Sequence, residues 1–300
     1  MYKFILKSAV FSFLFLALNF CYLFIIQKVD WNFAKRIEAL NLENPRFDVL
    51  ILGNSLAMDG VDTDYMSKKN LSSYNLALGG SSISTSLIQL KEYLTAYSYK
   101  PKYVIVGHAS YTSFMKKDKK IHPAVDFTSE NKVYGIYDLP MIKFKWMLVD
   151  NLKKLISKPH REAFLLKGQL KFKKKVADNT SLRDDNELNL DFYKNNEVLN
   201  EFIELCSYHN IQVFFVEMPG FKDERHPKKF NCKILNKESK NGFLIDYNTI
   251  VFGKIFDSKE DWIGADHLNE SGARKFTEEL VQDLFINKIC GPNTESIEYN

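Results

Sequence analysis

The stretch Phe47-Asp48-Val49-Leu50-Ile51-Leu52-Gly53-Asn54-Ser55-Leu56 decides the fold of this chain. Its apolar, partly β-branched residues 47–52 predict a short buried strand. The strand stops at Gly53-Asn54, which is a typical turn pair, and Ser55 follows immediately. Ligands of open α/β sheets bind in the crevice beyond the carboxyl ends of the strands. The stretch therefore predicts that a serine hydroxyl lies in such a crevice.

Beyond this strand, predicted helices alternate with predicted strands. Apolar residues at helical spacing follow Gly79-Gly80, and they are Ile83, Leu87, Leu90, Leu94 and Tyr97. Further strands are predicted at 103–106 and 211–216, and further helices at about 187–209 and 270–289. This alternation predicts the α/β class with a mostly parallel, doubly wound sheet.

The composition is that of a globular protein, with 45% hydrophobic and 26% charged residues. A net charge of +4 is mild and gives no reason to expect a nucleic-acid partner. The four cysteines show no Cys-x-x-Cys spacing, which argues against zinc and thioredoxin-like sites. Outside the cytoplasm, either a Cys232–Cys290 or a Cys206–Cys232 disulfide could form, and the sequence does not choose between them.

The N-terminal segment Ser8–Ile26 contains nineteen residues without a charge, which is long enough to span a hydrocarbon core. We expect residues 1–28 to form a transmembrane anchor, with the lipid bilayer as partner of residues 8–26, and residues 29–45 to form a juxtamembrane linker. A cleaved signal peptide is the alternative, but no small-x-small site follows the segment. We therefore expect a single-pass protein of the cell membrane whose domain lies outside the cytoplasm.

The remaining chain, 46–290, is predicted to be one α/β domain with a basic helical insertion at about 112–186. Within it, residues 141–175 hold eleven Lys or Arg against only Asp150 and Glu162. Aromatic residues and leucines are interleaved with these cations. The segment is either a solvated basic face of ordinary helices or a surface that meets an anionic membrane or polymer.

A serine hydroxyl is a weak nucleophile, so it needs a neighbouring base and donors for the oxyanion that it creates. Ser55 is the predicted nucleophile, and His267, 212 residues later, is the predicted base. The backbone N–H groups of Ser55 and Gly80 are the predicted oxyanion donors. Asp266 is the first candidate for the acid that fixes the histidine tautomer, Asp261 is the second, and a Ser–His dyad is the third.

Three blocks resemble the SGNH (GDSL-like) hydrolase superfamily. They are Leu52-Gly53-Asn54-Ser55-Leu56, Tyr74-Asn75-Leu76-Ala77-Leu78-Gly79-Gly80-Ser81 and Asp266-His267-Leu268-Asn269-Glu270-Ser271-Gly272-Ala273. The combination is most similar to membrane-anchored members that handle acyl groups on cell-surface polymers, including alginate O-acetylation and D-alanyl transfer proteins. The resemblance implies a flavodoxin-like three-layer α/β/α fold. It also implies serine ester chemistry without a metal or a cofactor.

Two positions depart from the pattern of that superfamily. Its third block, Gly-x-Asn-Asp, supplies an asparagine as an oxyanion donor, whereas this chain reads Gly107-His108-Ala109-Ser110. Alanine cannot donate from its side chain, which leaves His108 and Ser110 as possible substitute donors. The usual acid lies three residues before the histidine, and Gly264 stands there in this chain.

These observations predict a serine esterase or O-acyltransferase acting on acyl esters, with acetyl favoured, of cell-surface polysaccharide through an acyl-serine intermediate. A surface glycan or an acyl-donor protein would be its partner. The two departures motivate the alternative, a weakly active or inactive module of the same fold that binds or presents a glycan.

Overall fold

The computed structural model describes residues 1–109, 112–116, 120–129, 135–156, 163–173, 190, 193, 196–220, 232–235, 241–248, 255–257, 259–264 and 266–290. In chain order its helices and strands are α1 (Tyr2–Val29), α2 (Trp31–Leu40), β1 (Val49–Gly53), α3 (Ser55–Gly60), α4 (Thr63–Lys68), β2 (Ser73–Asn75), α5 (Ile83–Ala96), β3 (Tyr103–His108), α6 (Pro123–Thr128), α7 (Pro140–Lys143), α8 (Leu148–Ile156), β4 (Ala163–Leu166), β5 (Gln169–Phe172), α9 (Glu197–Tyr208), β6 (Gln212–Glu217), β7 (Cys232–Ile234), β8 (Gly242–Asp246) and α10 (Glu270–Val281). Short 3₁₀ turns lie at Ser113–Met115, Ile136–Asp138 and Lys145–Met147, and a π-helical turn, Gln282–Ile286, follows α10.

A six-stranded sheet, in the order β2-β1-β3-β6-β8-β7, forms the centre of the fold. Its first five strands are parallel, and β7 joins β8 antiparallel at one edge. The parallel strands, numbered among themselves, follow the order 2-1-3-4-5 of flavodoxin-like sheets. The predicted α/β class with a mostly parallel sheet is therefore confirmed.

The central strands are buried, as their near-continuous apolar sequences require. All five residues of β1 are buried, and so are all residues of β3 and β6 after the first. Strands covered on both faces read as apolar runs rather than as alternating patterns. The predicted strand at 47–52 is observed at Val49–Gly53, and those at 103–106 and 211–216 are observed with shifts of one or two residues.

The helices of the sheet unit form two groups, and contacts link the members of each group. Helices α5 and α9 contact each other, while α10 contacts both α3 and α4. The entry to each key helix is fixed by a side-chain cap: Asn54 for α3, Ser82 for α5 and Asn269 for α10. The helix predicted at 187–209 is described from Glu197 to Tyr208, and the one predicted at 270–289 ends at Val281 before its π-helical turn.

The chain divides into two compact units. The N-terminal unit contains residues 1–41 and 123–161, and the sheet unit contains residues 42–122 and 162–300. The predicted insertion 112–186 is thus shared between the two units. Part of it is also not helical, because β4 and β5 form an antiparallel hairpin.

The N-terminal unit is built around α1, which is long and apolar enough to cross a membrane, with a mean hydropathy of 2.4. One stripe of α1 is buried within this unit, and it consists of Asn19, Tyr22, Ile26 and Val29. Tyr22 and Ile26 form a core with Phe33, Ala124 and Phe144. The linker predicted at 29–45 contains α2, whose first turn is capped by Asp30.

A disulfide joins Cys232 to Cys290 in the sheet unit. This resolves the choice that the sequence left open, and Cys206 is a free, buried thiol in α9. The bond links the edge strand β7 to a residue beyond the last helix.

The turn after β1 generates the first prediction. Gly53 has φ +126°, and a Cβ built there would lie 1.9 Å from the carbonyl oxygen of Gly107. We expect Gly53→Ala to lower the free energy of unfolding by several kcal/mol, since both the backbone and the neighbouring strand oppose a side chain. Urea denaturation measures this change.

Gly264→Ala is the matched control, because a Cβ at that position meets nothing within 4 Å. It should unfold at nearly the wild-type urea concentration. Equal stability of the two variants would contradict this account of the turn.

Candidate active site

Ser55 is the first residue of α3, directly after the turn that ends β1. The Asn54 side chain accepts a hydrogen bond from the N–H of Leu56 at 3.0 Å and donates to Thr112 Oγ1 at 3.3 Å. The amide of Asn54 is therefore engaged as a helix cap and a loop contact. This fixes Ser55, partly exposed, at the carboxyl end of the sheet.

Asp59 and His267 form a short polar contact in the candidate site. The Oδ2 atom of Asp59 lies 2.6 Å from Nδ1 of His267. Asp59 is only 3% exposed, whereas the histidine side chain is 29% exposed. A carboxylate on Nδ1 holds the proton there and leaves Nε2 as the nitrogen that can accept a proton.

Ser55 and Asp59 are four residues apart on one helix. Side chains at this spacing are neighbours on the same face, with Cβ atoms about 5–6 Å apart. Asp59, which holds His267, is therefore one helical turn from Ser55 on α3. Leu268, the next residue, packs beside Gly60 and so holds the histidine segment against α3.

The environment of His267 shifts its pKa upward. Burial acts to lower the pKa, but the hydrogen bond and charge of Asp59, with a further contribution from the charge of Asp266, more than offset it. The protonated ring is therefore stabilised, which suits a general base because a base must take up a proton during the reaction.

The structure places the two predicted acids elsewhere. Asp266 Oδ1 lies 3.8 Å from Nε2 of His267, on the side of the ring opposite to Asp59. The Asp261 carboxylate accepts hydrogen bonds from Ser271 Oγ and Lys275 Nζ. The carboxylate that the structure places on Nδ1 is thus Asp59, and neither Asp266 nor Asp261. The site also differs from a bare Ser–His dyad.

Sequence reasoning missed Asp59, although a signal was available. The order Ser-x-x-x-Asp at the start of a predicted helix puts both side chains on one face. It also missed Gln169, whose Nε2 donates to the carbonyl oxygen of Asp59 at 2.9 Å. The hairpin β4–β5 thereby steadies the backbone that carries the acid.

The glycine block lies against the end of β1. The carbonyl oxygen of Gly53 accepts hydrogen bonds from Leu78 N–H at 3.2 Å and from Ser81 Oγ at 2.6 Å. Gly80 lies between these two contacts with φ +72°, and open space surrounds the position of a Cβ. The turn is therefore held at the end of β1, and the use of the Gly80 N–H as an oxyanion donor stays a prediction.

The block after β3 contains one buried histidine. His108 is fully buried, and its Nε2 lies 3.0 Å from Tyr193 Oη, while its Nδ1 lies 3.5 Å from Glu217 Oε2. Burial lowers the pKa of His108 to about 3, so the ring is neutral. His108 faces the interior, which argues against its use as a substitute oxyanion donor, and Ser110 lies outside the described residues. Ala109 is buried, and its carbonyl accepts from the Thr112 hydroxyl at 2.6 Å.

A polar pocket of about 520 Å³ lies beside this site. It is lined by parts of α4, β5 and the start of α10, including Tyr65, Lys171 and Glu270, but not by Ser55 or His267. At its base, Lys171 and Asp62 form a buried ion pair at 3.1 Å. Among the residues that the structure describes, no group of three or more His, Cys, Asp or Glu is arranged to hold a metal ion.

No family profile matches this chain, and no curated protein matches it. Among solved structures, the chain is similar to a "putative acylhydrolase" from Bacteroides fragilis, with 13% identity, a TM-score of 0.39, and coverage of 87% of this chain and 99% of that one. It is also similar to an acetyl xylan esterase from the rumen bacterium Butyrivibrio proteoclasticus, with 13% identity, a TM-score of 0.34, and coverage of 83% and 66%.

The Asp59 contact predicts how His267 titrates. In wild-type protein its imidazole should titrate above the ordinary value of about 6.5, because Asp59 stabilises the charged ring. Asp59→Asn should lower this pKa, because it removes both the hydrogen bond and the charge of Asp59, and Asp266→Asn should lower it less. The pH dependence of the ring signals in NMR spectra gives both values.

The two variants serve as controls for each other, since each removes one carboxylate near the same ring. A larger shift in Asp266→Asn than in Asp59→Asn would contradict the assignment of the orienting acid.

Proposed function

We propose that this chain is a membrane-anchored SGNH-type serine esterase or O-acyltransferase. It acts on acyl esters, with acetyl the acyl group we favour, of cell-surface polysaccharide. The observation that carries the proposal is the 2.6 Å contact between His267 and Asp59, because Asp59 follows Ser55 by one turn of the same helix. A nucleophile, a base and an acid that orients the base are the minimum set for acyl transfer by serine.

In the first half of the reaction, Ser55 Oγ attacks the ester carbonyl while Nε2 of His267 takes the hydroxyl proton. Asp59 stabilises the resulting imidazolium and does not itself take up the proton. The N–H groups of Ser55 and Gly80 hold the negative oxygen of the tetrahedral intermediate. Collapse breaks the ester C–O bond, and His267 returns the proton to the departing sugar alkoxide, which leaves an acyl-Ser55 ester.

In the second half, His267 removes a proton from the acceptor as it attacks the acyl carbonyl. Water as the acceptor gives the free acid, and a sugar hydroxyl gives a new sugar ester. In both cases the Ser55 hydroxyl is regenerated when His267 returns its proton. Both activities thus use one intermediate and the same three side chains.

The glycan part of the proposal is supported by the polar pocket that begins two residues after His267. Its lining combines the Tyr65 ring with acidic and amide side chains such as Glu270 and Asn269, which suit sugar rings and their hydroxyls. The location outside the cytoplasm is supported by the Cys232–Cys290 disulfide, since such bonds persist in oxidising compartments. The anchor is supported by the length and hydropathy of α1.

A second candidate function is a non-catalytic module that holds a glycan in the same pocket. Ala109 favours it, because a buried alanine stands where an oxyanion-donating asparagine is expected. Loss of one such donor costs about 10²–10³ in rate, which weakens an enzyme without abolishing it.

Covalent labelling separates these two functions. We expect a serine-reactive phosphonate to label the wild-type protein at Ser55 with one adduct per chain, because His267 activates that hydroxyl. Labelling should be lost in Ser55→Ala and in His267→Ala, as measured by intact-protein and peptide mass spectrometry.

Ser67→Ala is the matched control, since the Ser67 hydroxyl bonds the carbonyl of Thr63 within its own helix, α4. It should label as the wild type does. A folded wild-type protein that takes up no phosphonate would support the glycan-holding module instead.

The hydrolysis of an aryl acetate tests the role of Asp59 in turnover. Asp59→Asn should reduce kcat by about 10³–10⁴-fold, because the amide no longer fixes the tautomer or stabilises the imidazolium. Activity in the wild type should fall as the pH drops through the raised pKa of His267, since the protonated ring is no base. Unchanged kcat in Asp59→Asn, alongside loss of activity in Asp266→Asn, would reverse the roles of the two acids.

A further inference from the structure

The N-terminal unit carries an apolar surface that the proposed catalysis does not use. Trp146, Val149, Leu152, Leu155 and Ile156 are all exposed, and we call these five residues the α8 patch. Trp146 is 66% exposed and Ile156 is 84% exposed. Exposed apolar surfaces of this kind mark sites of contact with a partner or a membrane.

The arrangement along α8 is amphipathic. Successive residues of an α-helix are rotated by about 100° about its axis, which places Val149, Leu152 and Ile156 of α8 in one narrow stripe. Asp150 and Lys154 lie on the opposite side of the helix. Lys145, in the turn before α8, and Lys153, beside the stripe, are exposed. An apolar stripe flanked by lysines is suited to the interface of an anionic bilayer.

The patch belongs to the same unit as α1, and α8, which carries most of the patch, contacts α1 directly. Tyr22 of α1 donates a hydrogen bond to the carbonyl of Phe144 at 3.2 Å and accepts one from Asn151 Nδ2 at 3.3 Å. The Asn19 side chain accepts from the N–H of Met141 at 2.9 Å. These bonds place α7, α8 and the Lys145–Met147 turn beside residues 19–22 of α1, at the same level along its axis.

If the hydrocarbon core extended to residue 26 of α1, then α7, α8 and the turn between them would lie inside it. Short helices and turns expose backbone polar groups, which are not tolerated against lipid chains. Residues 2–18 of α1 extend about 25 Å by themselves, close to the roughly 30 Å of a bilayer core. The large apolar side chains of residues 2–18 are mostly exposed, as contact with lipid requires. Lys3 and Lys7 can extend their ammonium groups to the other surface of the bilayer.

A groove of about 290 Å³ lies between α1 and the segment that precedes α8. Leu16, Phe20 and Leu23 of α1 line one side, and Leu139 and Pro140 line the other. The apolar surface of α1 therefore continues into the segment that leads to α8. Such continuity is expected if one lipid phase covers both.

We propose that the α8 patch lies in the outer interface of the bilayer, with Trp146 among the lipid headgroups and the acyl chains that adjoin them. The hydrocarbon span of α1 then comprises approximately residues 2–18 instead of 8–26. This inference rests on the membrane anchoring proposed above. The N-terminal unit is thus both a membrane span and an interfacial platform.

Quenching of Trp146 fluorescence tests the inference on the full chain reconstituted in vesicles of phosphatidylcholine and phosphatidylglycerol. The emission of Trp146 is obtained as the difference between the wild type and Trp146→Phe. Lipids brominated near the headgroup end of their acyl chains should quench this emission more strongly than lipids brominated near the chain ends. Aqueous acrylamide should quench it weakly.

Ile156→Asp supplies a variant that removes little packing, because the side chain is 84% exposed. It should reduce bromolipid quenching of Trp146 at least twofold. Tyr208→Asp is the matched control, since Tyr208 is 82% exposed on α9 of the sheet unit, and it should leave the quenching unchanged.

Three results would overturn the inference. The protein could stay with the vesicles after a carbonate wash while acrylamide, and not the bromolipids, quenches Trp146. That result would place the α8 patch in water and leave the proposed anchor intact. Protection from both quenchers that depends on the protein-to-lipid ratio would indicate a second copy of the chain on the patch. Release of the protein by carbonate would contradict both the anchor and the inference. Phosphonate labelling of Ser55 is independent of all three results.

Discussion

The hydrogen bond between Asp59 and His267 is the contact on which the candidate site depends. It joins a helix that begins immediately after β1 to a loop that lies 208 residues further along the chain. A buried carboxylate is costly unless it is paired, so the fold must keep the histidine in place once Asp59 is buried. The bond therefore holds the two ends of the sheet unit together and also sets the tautomer of the candidate base.

Several neighbouring features support that bond. The positive φ of Gly53 and the Asn54 cap set the direction of α3, while Gln169 of the hairpin bonds the carbonyl of Asp59. On the other side, Asn269 caps α10, and the Asp261 carboxylate bonds Ser271 and Lys275 of that helix. The loop that carries His267 is thus held at both ends.

The sequence predicted the sheet because its buried parallel strands are continuous apolar runs, of which Val49–Gly53 is the clearest. It placed Ser55, Gly80 and His267 at turns or loops, and the structure puts Ser55 and Gly80 near the end of β1. It did not predict which acid faces Nδ1, since proximity in sequence favoured Asp266 and the choice depends on how α10 packs against α3. The contributions of Gln169 and the burial of His108 likewise follow from tertiary contacts that leave no local pattern. The shorter span proposed for α1 could not be predicted either, because that proposal rests on the bonds that Asn19 and Tyr22 make to distant segments.

The central claim is that Ser55 carries an acyl group during turnover. The most direct measurement is a rapid acid quench of the full chain with an aryl acetate, followed by peptide mass spectrometry. The account predicts one acetyl group on the peptide that contains Ser55, formed faster in the wild type than in Asp59→Asn. Turnover of the ester with no acetyl on Ser55, or with the acetyl on another residue, would contradict it.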